Sequence, residues 1–230
     1  VPNHILRLPF DFEPDALVRD LRTCETHAWT PHFNTRDYSG AWTSISLRSA
    51  SGEATDILSH PEQNGYRDTP LLALCPAFSA VLARFECEKE SVRLLNLAPA
   101  AHIKEHSDVH AGYQYGFFRV HIPLQTSEHV RFEVGGEALA MRAGECWYAD
   151  FSQPHSVENN GTLARVNLVL DCKRNAWSDR IFLQAGYDFE AEARAKRPDK
   201  ETRAKMIAEL AAMKTETAER LIRQLLDEAQ

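Results

Sequence analysis

Between residues 91 and 171 apolar side chains recur mostly at every second position, the period of a half-buried β-strand. "YGFFRVHIPLQT" alternates most cleanly: Phe118, Val120, Ile122 and Leu124 fall on one face, Phe117, Arg119 and His121 on the other. "AWTSISLRS" (41–49) and "SVRLLNLAP" (91–99) also predict strands. "VRFEVGGEALAM" predicts a hairpin turning at Gly135-Gly136, and "AGECWYADF" a turn followed by a strand. "HSVENNGTLARVNLVLD" predicts a second hairpin around Asn159-Asn160-Gly161. Helical spacing flanks this region. "EPDALVRDLRTC" (13–24) predicts a short helix, and "PLLALCPAFSAVLARF" (70–85) a helix with a kink or break at Pro76. In the tail, Met206, Ile207, Leu210 and Met213, then Leu221, Ile222, Leu225 and Leu226, predict two helices or one broken helix. The expected fold is mainly β with flanking helices: an antiparallel sandwich or small barrel over residues 1–190 and a C-terminal helical extension over 191–230.

Composition narrows the function classes. Of 230 residues, 43% are hydrophobic and 26% charged, an ordinary globular mix. A net charge of −7 disfavours nucleic acid and anionic membranes as partners. Cys24, Cys75, Cys87, Cys146 and Cys172 are scattered and form no C-x-x-C, which argues against a disulfide framework and fits a reducing cytoplasm. No stretch reads as a membrane span or a secretory signal.

The chemistry concentrates in "HIKEHSDVH" (102–110). His102, His106 and His110 are four apart, as in a helical zinc site, but the segment lies between strands and lacks the H-E-x-x-H pattern. On a strand, His106 and Asp108 share a face, and Glu105 points away. An imidazole and a carboxylate side by side make two-thirds of a facial triad, the ligand set of non-haem Fe(II) sites. His155, opening a later strand, is the best third ligand. H-x-D alone is a common chance match, and ten histidines make a distant partner easy to find, so spacing does not decide the matter. His102, His110 and His129 read as surface or supporting residues.

Two arginines add weight. Arg165 shares its strand face with Asn167 between apolar flanks, and Arg119 sits beside His121. A guanidinium in a buried strand is costly unless it meets an anion. A dicarboxylate cosubstrate or an amino-acid substrate would serve; for either arginine alone, an ion pair with one of the 33 acids is the plainer reading.

With these residues placed, "LAPAAHIKEHSD", "FFRVHIPLQT" and "GECWYADFSQPHSVENNGTLARVNLVLD" together resemble, in order and spacing, the aspartyl/asparaginyl β-hydroxylase family of Fe(II)- and 2-oxoglutarate-dependent dioxygenases. The upstream "WTPHFNTRDYSGAWTSISLRS" looks like the N-terminal part of bacterial members. The resemblance implies a double-stranded β-helix, a jelly-roll or cupin-like core, with Fe(II) on His106, Asp108 and His155, and Arg165 on the distal carboxylate of 2-oxoglutarate. Arg119 and His121 match the family's R-x-H pair and would form a second anion site, for cosubstrate or substrate. Arg93, His32, Asn34 and Trp42 are the candidate substrate residues. Asn159 or Asn167 would orient the ligand imidazoles. Where animal members carry a cosubstrate-binding serine this chain has Leu95, so Asn96 or another polar group would take its place. Asp108 aligns the chain with bacterial members, which include hydroxylases of free amino acids such as proline.

The implied activity is hydroxylation of an unactivated C–H of an amino acid or amino-acid side chain, using O2 and releasing succinate and CO2. The partner is a small carboxylate-bearing amino acid or peptide. Two rivals stay open: a cupin-type metal enzyme without 2-oxoglutarate, and a non-catalytic 2-oxoglutarate-binding module. The tail helices either pack on the barrel or pair between subunits, which leaves a homodimer open.

Overall fold

The computed structural model describes residues 3–59 and 65–227. The chain divides into two compact units, Val1–Tyr187 and Asp188–Gln230.

The first unit opens with β1 (Ile5–Asp11) and α1 (Pro14–Glu25). Short strands β2 (Thr30–Pro31) and β3 (Tyr38–Ser39) lead into β4 (Trp42–Ser49), and β5 (Arg67–Asp68) pairs back on β4. After α2 (Pro76–Ala83) come the core strands. These are β6 (Lys89–Leu97), β7 (His102–His106), β8 (Phe117–Gln125), β9 (Val130–Val134), β10 (Glu137–Ala138), β11 (Glu145–Ala149), β12 (His155–Asn159) and β13 (Arg165–Lys173). Helix α3 (Ala176–Gln184) closes the unit.

Among the described residues the larger sheet runs β1-β11-β8-β13-β6-β4-β2, with β5 beside β4, and the smaller β10-β9-β12-β7-β3. Their pairings are antiparallel. From β6 to β13 the chain passes back and forth between the two sheets, turning once within the smaller at β9–β10. That winding is a double-stranded β-helix. The faces that meet are apolar: Leu97 and Ala149 from the larger sheet, Ile103, Phe132, Val134 and Val157 from the smaller, with Phe151 between.

Local chemistry explains the boundaries. Pro14 and Pro76 each begin a helix, where a missing N–H costs nothing. Residues 70–85 therefore do not form one kinked helix: a 3-10 turn, Leu72–Leu74, precedes α2. Buried Asp20 of α1 accepts from Phe78 N at 2.9 Å, capping α2 and docking the two helices. Gly135 and Gly136, φ +58° and +80°, supply the left-handed pair that a two-residue hairpin needs between β9 and β10.

The expected hairpin over residues 155–171 does not form. Strand β12 pairs with β7 and β9 in the smaller sheet, and β13 with β6 and β8 in the larger. The Asn159 side chain donates to Leu97 O at 3.0 Å and Leu163 O at 2.9 Å, holding the chain as it crosses. Period-two alternation reveals a strand but not its partner.

The second unit contains α4 (Phe189–Ala195), α5 (Lys200–Met213) and α6 (Glu216–Asp227). Asp188 and Asp199 cap the first two, and Lys214, φ +50°, breaks α5 from α6. No helix of the described residues is long and apolar enough to cross a membrane.

Candidate metal centre

Strands β7 and β12 are neighbours in the smaller sheet, and their register sets His106 directly opposite His155. The two rings lie 4.2 Å apart between centroids. Asp108 follows just past the end of β7, where its N–H donates to Phe151 O at 2.8 Å. Ligating atoms of His106, Asp108 and His155 all lie within 4.8 Å of one another, close enough to hold one ion.

The backbone aims both imidazoles. His106 Nδ1 meets Lys104 O at 2.8 Å, and His155 Nδ1 meets Gln153 O at 3.0 Å. A carbonyl only accepts, so each Nδ1 carries the proton and each Nε2 keeps a lone pair for a metal. These carbonyls do the work expected of Asn159 or Asn167, whose side chains are engaged elsewhere. Burial, opposed by the bond to Gln153, pushes the His155 pKa below its usual value, which favours the neutral form a metal requires.

Arg119 of β8 bridges this group to the larger sheet. Its Nη1 donates to Asp108 Oδ2 at 3.1 Å, while Nε and Nη2 grip Asp171 of β13 at 2.6 and 3.1 Å. Asp171 is fully buried and also accepts from Arg93 Nη2 at 2.8 Å and Ser91 Oγ at 2.7 Å. Burial alone would raise its carboxyl pKa, but Arg119 and Arg93, with Ser91, hold it well below the ordinary range. Arg119 thus already has an internal anion. Asp171 was missed at the sequence level, although it sits six residues after Arg165 on the same strand face.

Arg165, at the start of β13, is the contrasting case. It is 4% exposed, and among the described residues it forms no salt bridge with a carboxylate. It lies over the Phe132 ring at 5.3 Å, and with the Asn167 amide turned so that its oxygen faces the surrounding donors, Arg165 Nη2 donates to that oxygen at 2.8 Å. Burial pushes its pKa down to about 10. The same amide oxygen faces His121 Nδ1 at 3.1 Å, while His121 Nε2 is buried without a partner. Burial, then Arg165 and Arg119, keep the His121 ring neutral; an anion at Nε2 would favour a proton there. Arg165, His121, Arg119 and the three candidate ligands line one cavity of about 60 Å³, completed by Trp42, Leu95, Phe132 and Phe151. Leu95 lines it; Asn96, next along β6, does not.

A wider cavity of about 690 Å³ shares His106, Asp108 and Arg119 with the narrow one. His32, Asn34, Trp42 and Arg93 all line it. His32 stacks on Trp42 at 3.5 Å and 11°, and burial, then Arg93 and Arg119, lower its pKa to about 4. Arg93 spends its guanidinium on Asp171 and Ile57 O. His110, with φ +58°, is exposed at the rim. Glu105 and His129 are exposed, and His102 is half-buried.

The family model described as "Aspartyl/Asparaginyl beta-hydroxylase" matches residues 15–175. The chain belongs to that family. Among curated proteins it is similar to the L-proline cis-4-hydroxylase of Rhizobium meliloti (strain 1021), 24% identical over 171 residues, 73% of this chain. The match spans 60% of that relative's length. Among solved structures it is similar to a Pseudomonas putida prolyl-4-hydroxylase, with TM-score 0.47 and 12% identity over 76% of this chain and 94% of that one. A 2OG-Fe(II) oxygenase family oxidoreductase from Burkholderia pseudomallei gives TM-score 0.47 and 14% identity over 69% and 79%.

Proposed function

We propose that the chain is an Fe(II)- and 2-oxoglutarate-dependent dioxygenase that hydroxylates an unactivated C–H of an amino acid. One juxtaposition carries the reading: Arg165, a buried guanidinium with no carboxylate partner among the described residues, lines the same cavity as His106, Asp108 and His155. A metal site needs no such arginine, whereas a chelating dicarboxylate does. Family membership supports the same chemistry.

His106 Nε2, His155 Nε2 and an Asp108 oxygen would hold the iron. When bound, Fe(II) with 2-oxoglutarate and O2 supplies the oxidising power for C–H hydroxylation, 2-oxoglutarate leaving as succinate and CO2. The chain's residues bind and orient. Arg165 holds the distal carboxylate, and His121, through its Nε2, offers a second anion-binding edge beside Arg119, whose guanidinium is held by Asp171 and Asp108. Arg119 also fixes the Asp108 carboxylate, while Phe132, Phe151 and Trp42 keep bulk water from the narrow cavity. Substrate occupies the wider cavity, against His32, Asn34, Trp42 and Arg93. The named activity of the Rhizobium relative makes free amino acids, L-proline among them, the first substrate class to test.

The test is anaerobic reconstitution with Fe(II) and 2-oxoglutarate, followed by O2 and a panel of free amino acids and short acidic peptides. Succinate and a product heavier by one oxygen are expected with at least one member. A visible charge-transfer band is expected before O2 is added. Absence of both band and succinate overturns the reading in favour of a cupin-type metal enzyme.

A further inference from the structure

Glu90, in the wall of the wider cavity, has no place in the chemistry above. It lies near the start of β6, and its side chain is 7% exposed. Among the described residues its carboxylate has one ion-pair partner, Lys173 Nζ, at the long distance of 3.8 Å. That ammonium sits much closer to Glu88, at 2.7 Å. The other acids beside the site are matched: Asp171 by two arginines and a serine, Asp108 by Arg119. Glu90 is therefore a buried carboxylate without close compensation. Burial raises its pKa above the usual value, with Asp171 and Glu88 adding to the effect against Lys173.

The strand register fixes its position relative to the candidate ligands. Arg119 lies opposite Asp171, and Phe117 opposite Lys173, two residues or ~7 Å further out. Lys89 lies opposite Cys172 and Val92 opposite Leu170, so Glu90 sits in the irregular stretch of β6 that faces Asp171, with Lys173 one step beyond. Glu90, Lys173 and Phe117 line the same cavity as His106 and Asp108. Arg93 and Arg119 also line it but are engaged by Asp171 and Asp108, and the rest of the lining includes Leu95, Ala111, Val109 and the stacked His32–Trp42 pair. A buried carboxylate of this kind is stabilised by a ligand that brings its own cation.

We propose that Glu90 binds the protonated amine of the substrate, so that the wider cavity selects an ammonium-bearing amino acid or peptide with its reacting carbon toward His106 and Asp108. This rests on the amino-acid hydroxylase reading and adds to it the group that recognises the amine. Lys173 is the internal competitor that an incoming ammonium displaces from Glu90.

The experiment measures binding by titration calorimetry to the anaerobic protein loaded with Fe(II) and 2-oxoglutarate. The probes are L-proline, L-lysine, L-arginine and L-leucine, each beside its Nα-acetyl derivative. For whichever free amino acid binds the wild type, Glu90→Gln is expected to raise Kd by at least about tenfold. Glu90→Asp should recover part of the loss, and Lys173→Met should tighten binding. Acetyl derivatives should bind weakly to the wild type and be indifferent to Glu90→Gln. Lost packing at Glu90 would weaken both probe forms alike and would not make Lys173→Met bind tighter. If an amino acid binds and neither Glu90→Gln nor Lys173→Met changes its Kd, the Glu90 assignment falls while the hydroxylase reading stands. If no free or acetylated amino acid binds the loaded wild type, the amino-acid reading itself falls and Glu90 falls with it.

Discussion

Arg119 and Asp171 form a two-point ion pair across β8 and β13, and the third arm of Arg119 reaches the candidate metal ligand Asp108. Asp171 therefore sets the direction from which Asp108 is held. Asp171→Asn is expected to leave buried Arg93 and half-buried Arg119 undercompensated, costing about 3–5 kcal/mol in denaturant unfolding. It should also weaken metal binding by about 10–100-fold in anaerobic Fe(II) titrations. The wild-type contribution has a definite sign with pH. Because the folded carboxyl pKa is depressed, its stabilisation is present above the ordinary carboxylate range and is lost as pH falls below it. Asp171→Asn should remove that acid-side slope.

Arg165 predicts a trade between stability and binding. Its charge is buried with no carboxylate partner among the described residues, so Arg165→Met should stabilise the ligand-free protein by about 1–3 kcal/mol. The same change should abolish the rise in Tm that 2-oxoglutarate gives the wild type. Thermal melts with and without the dicarboxylate check both halves. Unchanged 2-oxoglutarate stabilisation in the variant would remove Arg165 from the cosubstrate site.

Single substitutions His106→Ala, Asp108→Ala and His155→Ala should each weaken metal binding by two orders of magnitude or more, on the order of 3 kcal/mol. Cobalt(II) absorption titrations at neutral pH measure this without turnover. Affinity should drop on acidification, as the imidazoles take up protons.

His32 supplies a second pH effect. Its pKa is about 4 in the folded chain, against 6.5 for the free side chain. Below pH 6.5 the unfolded state takes up a proton that the folded state refuses, so stability is lost as pH falls from 6.5 toward 4. For this half-buried ring the loss is on the order of 1–2 kcal/mol. His32→Phe, which keeps a ring on Trp42, should show a flatter stability profile across that window in urea titrations.

The sequence was most informative where chemistry and alternation coincide. His106 and Asp108 two apart, Arg119 beside His121, and Arg165 among apolar neighbours stood out because a charged or metal-binding side chain on a buried strand needs a partner. The partners were harder to read. Asp171 looks like a terminal acid on its strand, and only the packing of β13 between β6 and β8 brings it to two arginines. The carbonyls of Lys104 and Gln153 carry no side-chain signature at all. Residues 155–171 were misjudged as a hairpin because an Asn-Gly turn signal and two alternating strands fit a crossover between sheets equally well. Strand β1 went unread because a proline, Pro9, argues against a strand, although Leu6, Leu8 and Phe10 alternate on a buried face.

The direct opposition of His106 and His155 has a consequence for motion as well as for chemistry. Side chains alternate, so a one-residue slip of β7 against β12 would turn one imidazole out of the site. An ion bound by both rings clasps the two strands in a single alignment. Metal loading then becomes a brake on breathing of the smaller sheet, and its trace should be slowed amide exchange along β7 and β12.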